Sequence, residues 1–412
     1  MSDVTFHPAE SCVPPKSDDD VDWEIIVRIE RVESTCLRFE YADGFTYAGG
    51  KCSARVTSLV RVYTDTGQVG IGSAYSHPGM IHLTVDQQLA PLLVGLDASD
   101  VEALWERMYR ITRWYGRKGA AMSALGAIDM ALWDLRGKAA GKPLWELLGG
   151  TRPTCPAYAS ALLWKSPNEL ADEAAGHVAR GFRRMKVRLG RGQPYDQDAV
   201  RAVRQAIGSN CDLMCDGSMR YDLATARALG EFLATQKVFW FEEPFEPENL
   251  DDYAALRGTI GVPLAAGENE FGLQGFRELV RCRAVDIIQP DASRCGGVTE
   301  LLRAADLARQ HGLRFAPHTW SDAVTVMANA QVVAARDHGL TVEIDQTGNP
   351  FIDDLLVEPL RVIDGQLQLS RAPGLGIELR DDIIARYRLP NPLEMPEGLY
   401  SDMVFGRDYY SG

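Results

Sequence analysis

Leu213-Met214-Cys215-Asp216, then Val238-Phe239-Trp240-Phe241-Glu242, then Val262-Pro263-Leu264-Ala265-Ala266-Gly267-Glu268 repeat one design, a short apolar run that ends in a carboxylate. The three acids stand 26 residues apart. Runs of this kind read as parallel strands buried on both faces. An interval of 26 residues holds one strand, a helix of about three or four turns and two short loops. The spacing therefore predicts successive βα units of a parallel barrel, each delivering one acid to the same rim. Three hard oxygen donors converging there suit Mg²⁺ with positions left open for a substrate.

The pattern extends in both directions. Upstream, Phe182 to Arg188 places Lys186 and Arg188 two apart on a strand, so both side chains leave the same face. Downstream, Val285 to Pro290 delivers Asp291, Leu313 to Pro317 delivers His318, and Leu340 to Val342 delivers Glu343. In a barrel the C-terminal strand ends carry the chemistry, and a serial run of ionisable groups there is not ordinary surface decoration.

Composition sets outer limits. The chain has 412 residues, of which 46% are hydrophobic, enough for a large core in two domains that share an interface. No apolar run reaches the roughly 18 residues of a membrane span. The formal charge of -14 argues against a nucleic-acid surface, while a divalent cation and Lys186 still permit a small anionic substrate. Eight scattered cysteines form no disulfide framework, which fits a reduced cytoplasm. Cys211 and Cys215 bracket a predicted core strand and lack a second ligand pair for zinc, so they read as packed thiols.

Residues 1–21, with Pro14-Pro15 and Asp18-Asp19-Asp20, read as a mobile tail. Residues 22–150 read as an α+β cap. Strands are expected at Ile25 to Val32 and Val56 to Tyr63 around a loop at Gly49-Gly50, and helices at Val85 to Leu93, Val101 to Tyr115 and Ala120 to Gly137. Residues 151–356 read as the barrel and 357–412 as a segment returning to the cap. Two cap stretches, Tyr41 to Ser53 and Ala74 to Ile81, are expected as loops over the barrel mouth, where Tyr75 and His77 would contact substrate and set specificity.

From about Trp23 onward the chain resembles the mandelate racemase group of the enolase superfamily. The residues that carry the resemblance are Lys186-Val187-Arg188, Asp216, Glu242-Glu243-Pro244, Gly267-Glu268-Asn269, Pro290-Asp291 with Gly296-Gly297, Pro317-His318 and Glu343. Ala127 to Asp134 and Leu147 to Gly150 also match. The resemblance implies a modified TIM barrel, (β/α)7β, with an α+β capping domain. It implies Mg²⁺ held by Asp216, Glu242 and Glu268, Lys186 beside the substrate carboxylate, and an Asp291–His318 dyad that moves the proton. Glu343 would assist the enediolate from the side opposite the metal, and must then carry a proton through a raised pKa. A symmetric homo-oligomer is implied as well.

Two departures shape the expected reaction. Arg188 stands where many relatives have a second lysine, and a guanidinium is a poor base, so two-base racemisation is disfavoured and a substrate-positioning role expected. Ser218 replaces an asparagine two residues after the first metal ligand and is expected to touch substrate or metal shell. With His318 as the proton-transfer group, the expected reaction is dehydration of a sugar acid to a 2-keto-3-deoxy acid. The rivals are ring-opening cycloisomerisation of a sugar-acid lactone or anhydro sugar acid, racemisation or epimerisation, and a non-catalytic barrel that binds a sugar acid.

Overall fold

The computed structural model describes residues 27–47 and 50–390, together with the backbone of the strand Met403–Val404. The expected tail, residues 1–21, lies outside the described residues, as does Gly49. In the cap, β1 (Ile29–Tyr47) and β2 (Gly50–Thr64) form a long antiparallel pair, and β3 (Val69–Ala74) adds to the other edge of β2. This differs from the expected shorter strands with a free Tyr41 to Ser53 loop. Phe45 pairs with Cys52 and Tyr47 with Gly50, after a register shift between Glu40 and Phe45. Gly44 takes the left-handed φ of 66° inside that bulge, a conformation that favours glycine. Phe39, Tyr41 and Phe45 make successive edge-on ring contacts with centroids 5.0 and 5.2 Å apart, so the aromatics that suggested a loop stiffen a hairpin.

The helix Ala120–Ala139 is apolar nearly all round and almost wholly buried because it lies between the cap sheet and the barrel. Two glycines permit that approach. A Cβ at Gly72 of β3 would stand 2.0 Å from the Ala127 carbonyl oxygen, and one at Gly126 would stand 2.6 Å from the Gly297 nitrogen.

Eight parallel strands follow: β4 (Thr154–Ser160), β5 (Arg184–Arg188), β6 (Asp212–Asp216), β7 (Phe241–Glu242), β8 (Leu264–Ala266), β9 (Ile287–Ile288), β10 (Arg314–Phe315) and β11 (Val342–Asp345). Each pairs with its sequence neighbour from β4 to β10, and β11 pairs with β4. Between β10 and β11 the contact narrows to a parallel bridge from Phe315 to Gly339 and the Leu340 N–H donating to the Phe315 carbonyl at 2.9 Å. Helices separate consecutive strands up to Ala323–Ala334. Directly after β11 comes only the one-turn helix Pro350–Asp353, and among the described residues no further barrel strand follows, which makes the unit (β/α)7β. Tyr158, Met214, Trp240, Ala265, Ile287 and Ala316 fill the barrel interior. Local signals set the helix starts: Ser166 and Glu169 form a capping box with Pro167 at the first turn of Pro167–Ala179.

After β11 the chain adds β12 (Val362–Ile363) and β13 (Gln366–Gln368), the latter antiparallel to the start of β4. It then reaches the cap sheet, where the Leu389 N–H donates to the Cys36 carbonyl at 2.9 Å. Cys211 and Cys215 are buried as free thiols. Among the described residues no helix is long and apolar enough to cross a membrane.

Polar clamps fix the cap over the barrel mouth. Thr57 and Ser73, on β2 and β3, donate to buried Asp322 on the loop after β10. Arg55, only 1% exposed, pairs with Asp345 at 2.7 Å, donates to Thr347, and lies 4.2 Å over the Trp320 ring. Removing one partner of a buried pair strands the other charge, so Arg55→Ala is expected to cost about 3–5 kcal/mol of stability, read by chemical denaturation. A loss near zero would mean that this clamp contributes nothing net.

Candidate active site

The strand ladder delivers the predicted side chains to one place. Lys186 and Arg188 leave β5 on one face, Arg188 is in register with Asp216, and Asp216 is in register with Glu242. Lys186 Nζ contacts a Glu242 carboxylate oxygen and lies 3.0 Å from Glu343 Oε1 and 3.6 Å from Asp216 Oδ2. Arg188 donates to Asp216. His318 Nδ1 lies 2.8 Å from Asp291 Oδ2, and its Nε2 lies 3.5 Å from Glu268 Oε2. Every residue of this cluster except Glu268 is buried, and the Glu268 side chain is 19% exposed. Asp345, two residues beyond Glu343, is taken up by Arg55 at the rim, while Glu343 reaches Lys186.

The charges are strongly coupled. Burial disfavours the charged forms of Lys186 and Arg188, yet the surrounding carboxylates outweigh it, so both are held firmly as cations. Burial likewise works against the His318 imidazolium, but Glu268, Glu343 and Asp291 push its pKa up to about 9. At Asp216 burial is overcome by Arg188 and Lys186, which lower its pKa. At Glu242 burial, opposed by Lys186 and aided by Asp216, Glu343 and Glu268, raises the pKa to about 7.

Glu343 corrects an expectation. A raised pKa was anticipated, but burial there is outweighed by Lys186, His318 and Arg188, which hold its carboxyl well below the usual range. It stands as an anion that accepts the Thr319 N–H at 2.8 Å, and in this arrangement it has no proton to donate.

Among the described residues no three potential ligands already have the spacing of a formed metal site. Cationic side chains engage the carboxylates instead. The donor set nevertheless fits a hard divalent cation: Asp216 and Glu242 stand on paired residues of adjacent strands, and burial together with the neighbouring carboxylates Asp216, Glu343 and Glu268 disfavours the Glu242 anion, a cost that such a cation would offset. Trp240 Nε1 and Gln289 Nε2 donate to the other Glu242 oxygen at 2.9 and 2.8 Å, which orients that carboxylate. Neither residue was singled out from sequence, although Gln289 occupies a strand end two residues before Asp291.

The remaining predicted residues divide. Ser218, at φ 52°, spends its N–H on Asp216 Oδ1 at 2.8 Å, so it supports the first acid. Tyr75 is buried in a cluster with Tyr47, Leu163 and Trp320 where cap meets barrel. His77 is not drawn into the charged cluster. Its ring caps the helix Pro78–His82 by accepting the Gly79 N–H at 3.2 Å, a task that the His-Pro-Gly order explains through proline at the first turn.

Family models match along most of the chain: "Mandelate racemase / muconate lactonizing enzyme, N-terminal domain" over residues 39–149 and "Enolase C-terminal domain-like" over residues 169–383. D-galactarolactone cycloisomerase of Agrobacterium fabrum is 35% identical, across 89% of this chain and all of that protein. Arabinonate dehydratase of Saccharolobus solfataricus is 32% identical, across 79% of this chain and 89% of its own length. A crystal structure of a racemase from Streptomyces coelicolor A3(2) with bound magnesium is similar, with a TM-score of 0.82 at 30% identity, covering 88% of this chain and all of that one.

Proposed function

The chain belongs to the mandelate racemase group of the enolase superfamily, and from that premise we propose that it uses Mg²⁺ to remove the proton alpha to a sugar-acid carboxylate and dehydrates the acid to a 2-keto-3-deoxy product. It is an enzyme of a superfamily whose members similar to it include acid-sugar dehydratases and cycloisomerases. The observation that carries the reading is a single competent base: His318 paired with Asp291 at 2.8 Å, while Arg188 holds the second-base position as a permanent cation.

Mg²⁺ bound through Asp216, Glu242 and Glu268 would supply Lewis-acid stabilisation of negative charge developing on the substrate carboxylate. Lys186 adds a fixed positive charge on the same oxygens, within reach because it already lies among Asp216, Glu242 and Glu343. Asp291 accepts the Nδ1 proton of His318, fixing the tautomer and leaving Nε2 to take the α-proton. That step needs neutral imidazole, and Glu268 is the largest of the carboxylate influences opposing it, so committing Glu268 to a cation favours the base form. The protonated Nε2 then returns its proton to the departing 3-hydroxyl when both lie on one face. Arg188 positions substrate oxygens, with the Tyr47 and Trp320 rings 5.5 and 5.2 Å from its guanidinium carbon, and the aromatic cluster that also holds Tyr75 shapes that side of the site. Glu343 holds Lys186 in place, and acts as a donor only after it gains a proton.

The second reading is ring-opening cycloisomerisation, favoured by the 35% identity to the lactone cycloisomerase. It needs the same proton removal with a ring oxygen as leaving group. A screen of aldonic and aldaric acids and their lactones with Mg²⁺ separates the two: a 2-keto product lighter by one water supports dehydration, and a product of unchanged mass supports cycloisomerisation. Inert behaviour toward every acid, without α-proton exchange, would remove both.

Arg188 gives a stereochemical prediction. In D₂O a 2-hydroxy acid without a leaving group is expected to exchange its C2 proton on one face only, without inversion, as NMR and chiral chromatography would record, whereas the dehydration product, a ketone at C2, takes up deuterium at C3. Racemisation by the wild-type protein would reveal a second base and favour a racemase or epimerase. Arg188→Lys loses the bidentate fork and should turn over at least about tenfold more slowly.

A further inference from the structure

Asn329 is completely buried in the middle of the helix Ala323–Ala334, where asparagine is a poor helix former and an unpaired amide would be costly. Its amide is fully committed, and all of its partners flank the proposed dyad. Nδ2 donates to the His318 carbonyl at 3.0 Å and to Thr319 Oγ1 at 2.8 Å, while Oδ1 accepts the Ala292 N–H at 3.1 Å. Ala292 follows Asp291, so one side chain grips the main chain beside both members of the pair.

The loops on either side are tied into the same frame. Ser293 donates its N–H and its hydroxyl to Asp291 Oδ1 at 2.8 and 2.7 Å, which leaves Oδ2 for His318. Thr319 passes the connection to the last strand through its N–H on Glu343. On the opposite side, Arg294 Nε donates to the Glu268 carbonyl at 2.9 Å, joining the loop after β9 to the loop after β8. Asn329 is the member of this chain of clamps that sets the distance between the Asp291 loop and the His318 loop.

We propose that Asn329 is a positioning residue that holds Asp291 and His318 in proton-transfer register, acting through the main chain of both loops. The proposal rests on the reading of His318 as the proton-transfer group. A misplacement of about 1 Å at a reacting group costs on the order of 100-fold in rate, and apart from the His318–Asp291 contact itself, Asn329 is the side chain that ties the two loops together in the hydrogen bonds described above. The alternative is that Asn329 merely satisfies buried backbone groups, which would affect folding without acting on the dyad.

The test uses the full chain with Mg²⁺, two variants and a double-mutant cycle. Asn329→Ala removes all three hydrogen bonds; Asn329→Asp keeps the acceptor for Ala292 and loses the donor to His318. In both, kcat per folded molecule is expected to fall about 10–100-fold while KM and Mg²⁺ affinity change less than about threefold. In an Asp291→Asn background, adding Asn329→Ala should cost less than about threefold more, because the alignment it serves is already spoiled. Near wild-type kcat, a loss that multiplies fully with Asp291→Asn, or failure of both variants to fold would make Asn329 structural only and overturn the proposal. If His318→Asn itself turned over normally, the underlying reading of the base would fail instead, so the two failures are distinguishable.

Discussion

His318→Asn is expected to lower turnover by roughly 10⁴-fold while leaving the fold and Mg²⁺ affinity nearly unchanged. Asparagine retains polar atoms near the Asp291 carboxylate but offers no site that can hold a transferable proton. His318 makes no contact with Asp216 or Glu242, and its separation from Glu268 is 3.5 Å, so two of the three proposed metal ligands should not respond to its loss. Asp291→Asn should be less severe, on the order of 100-fold, because the imidazole survives with its tautomer and orientation upset. Steady-state rates, together with α-proton exchange followed by NMR, measure both variants. A His318 variant with wild-type exchange would sink the assignment of the base, and an Asp291 variant worse than the His318 variant would mean that the carboxylate itself handles the proton.

Much of this site was legible because its residues obey a local rule. Asp216, Glu242, Glu268, Asp291, His318 and Glu343 each follow an apolar strand, and a βα unit has a nearly constant length, so periodic spacing becomes convergence in space. The supporting contacts follow no such rule. Arg55 meets Asp345 290 residues away, and Asn329 sits inside a helix whose apolar sequence advertises only burial. Trp240 stands two residues before Glu242 and so shares its face, but an aromatic in an apolar run reads as core, and its Nε1–H donation to the acid goes unseen. Protonation states were misjudged for a related reason. A raised pKa was expected of Glu343 because its role required a proton, whereas burial there is outweighed by Lys186, delivered by a different strand and 3.0 Å away, which lowers it. In the cap, glycine and aromatic residues at Tyr41 to Ser53 suggested a loop. The pairing that runs from Phe39 with Arg55 to Tyr47 with Gly50 is a choice of register that composition does not reveal.

Stripping divalent cations is expected to reduce turnover by more than about 10³-fold, with recovery on adding Mg²⁺, since a bound cation contributes several kcal/mol to an oxyanionic transition state. The requirement follows from the substrate: a proton beside a carboxylate is scarcely acidic, because its removal puts a second negative charge on a group already charged. Lys186 alone is ill placed to absorb that charge, being shared among Asp216, Glu242 and Glu343. Asp216→Asn, Glu242→Gln and Glu268→Gln should each weaken Mg²⁺ binding, measured by calorimetry, and the losses should differ. Glu242→Gln also turns an amide N–H toward either Lys186 or the Trp240 and Gln289 donors, so it should be the most damaging to stability. Glu268, the most exposed of the three, should tolerate substitution best in the fold while still losing metal affinity. Full turnover in protein shown by elemental analysis to be metal-free would remove the mechanism. Unchanged Mg²⁺ affinity in all three variants would move the cation to other ligands.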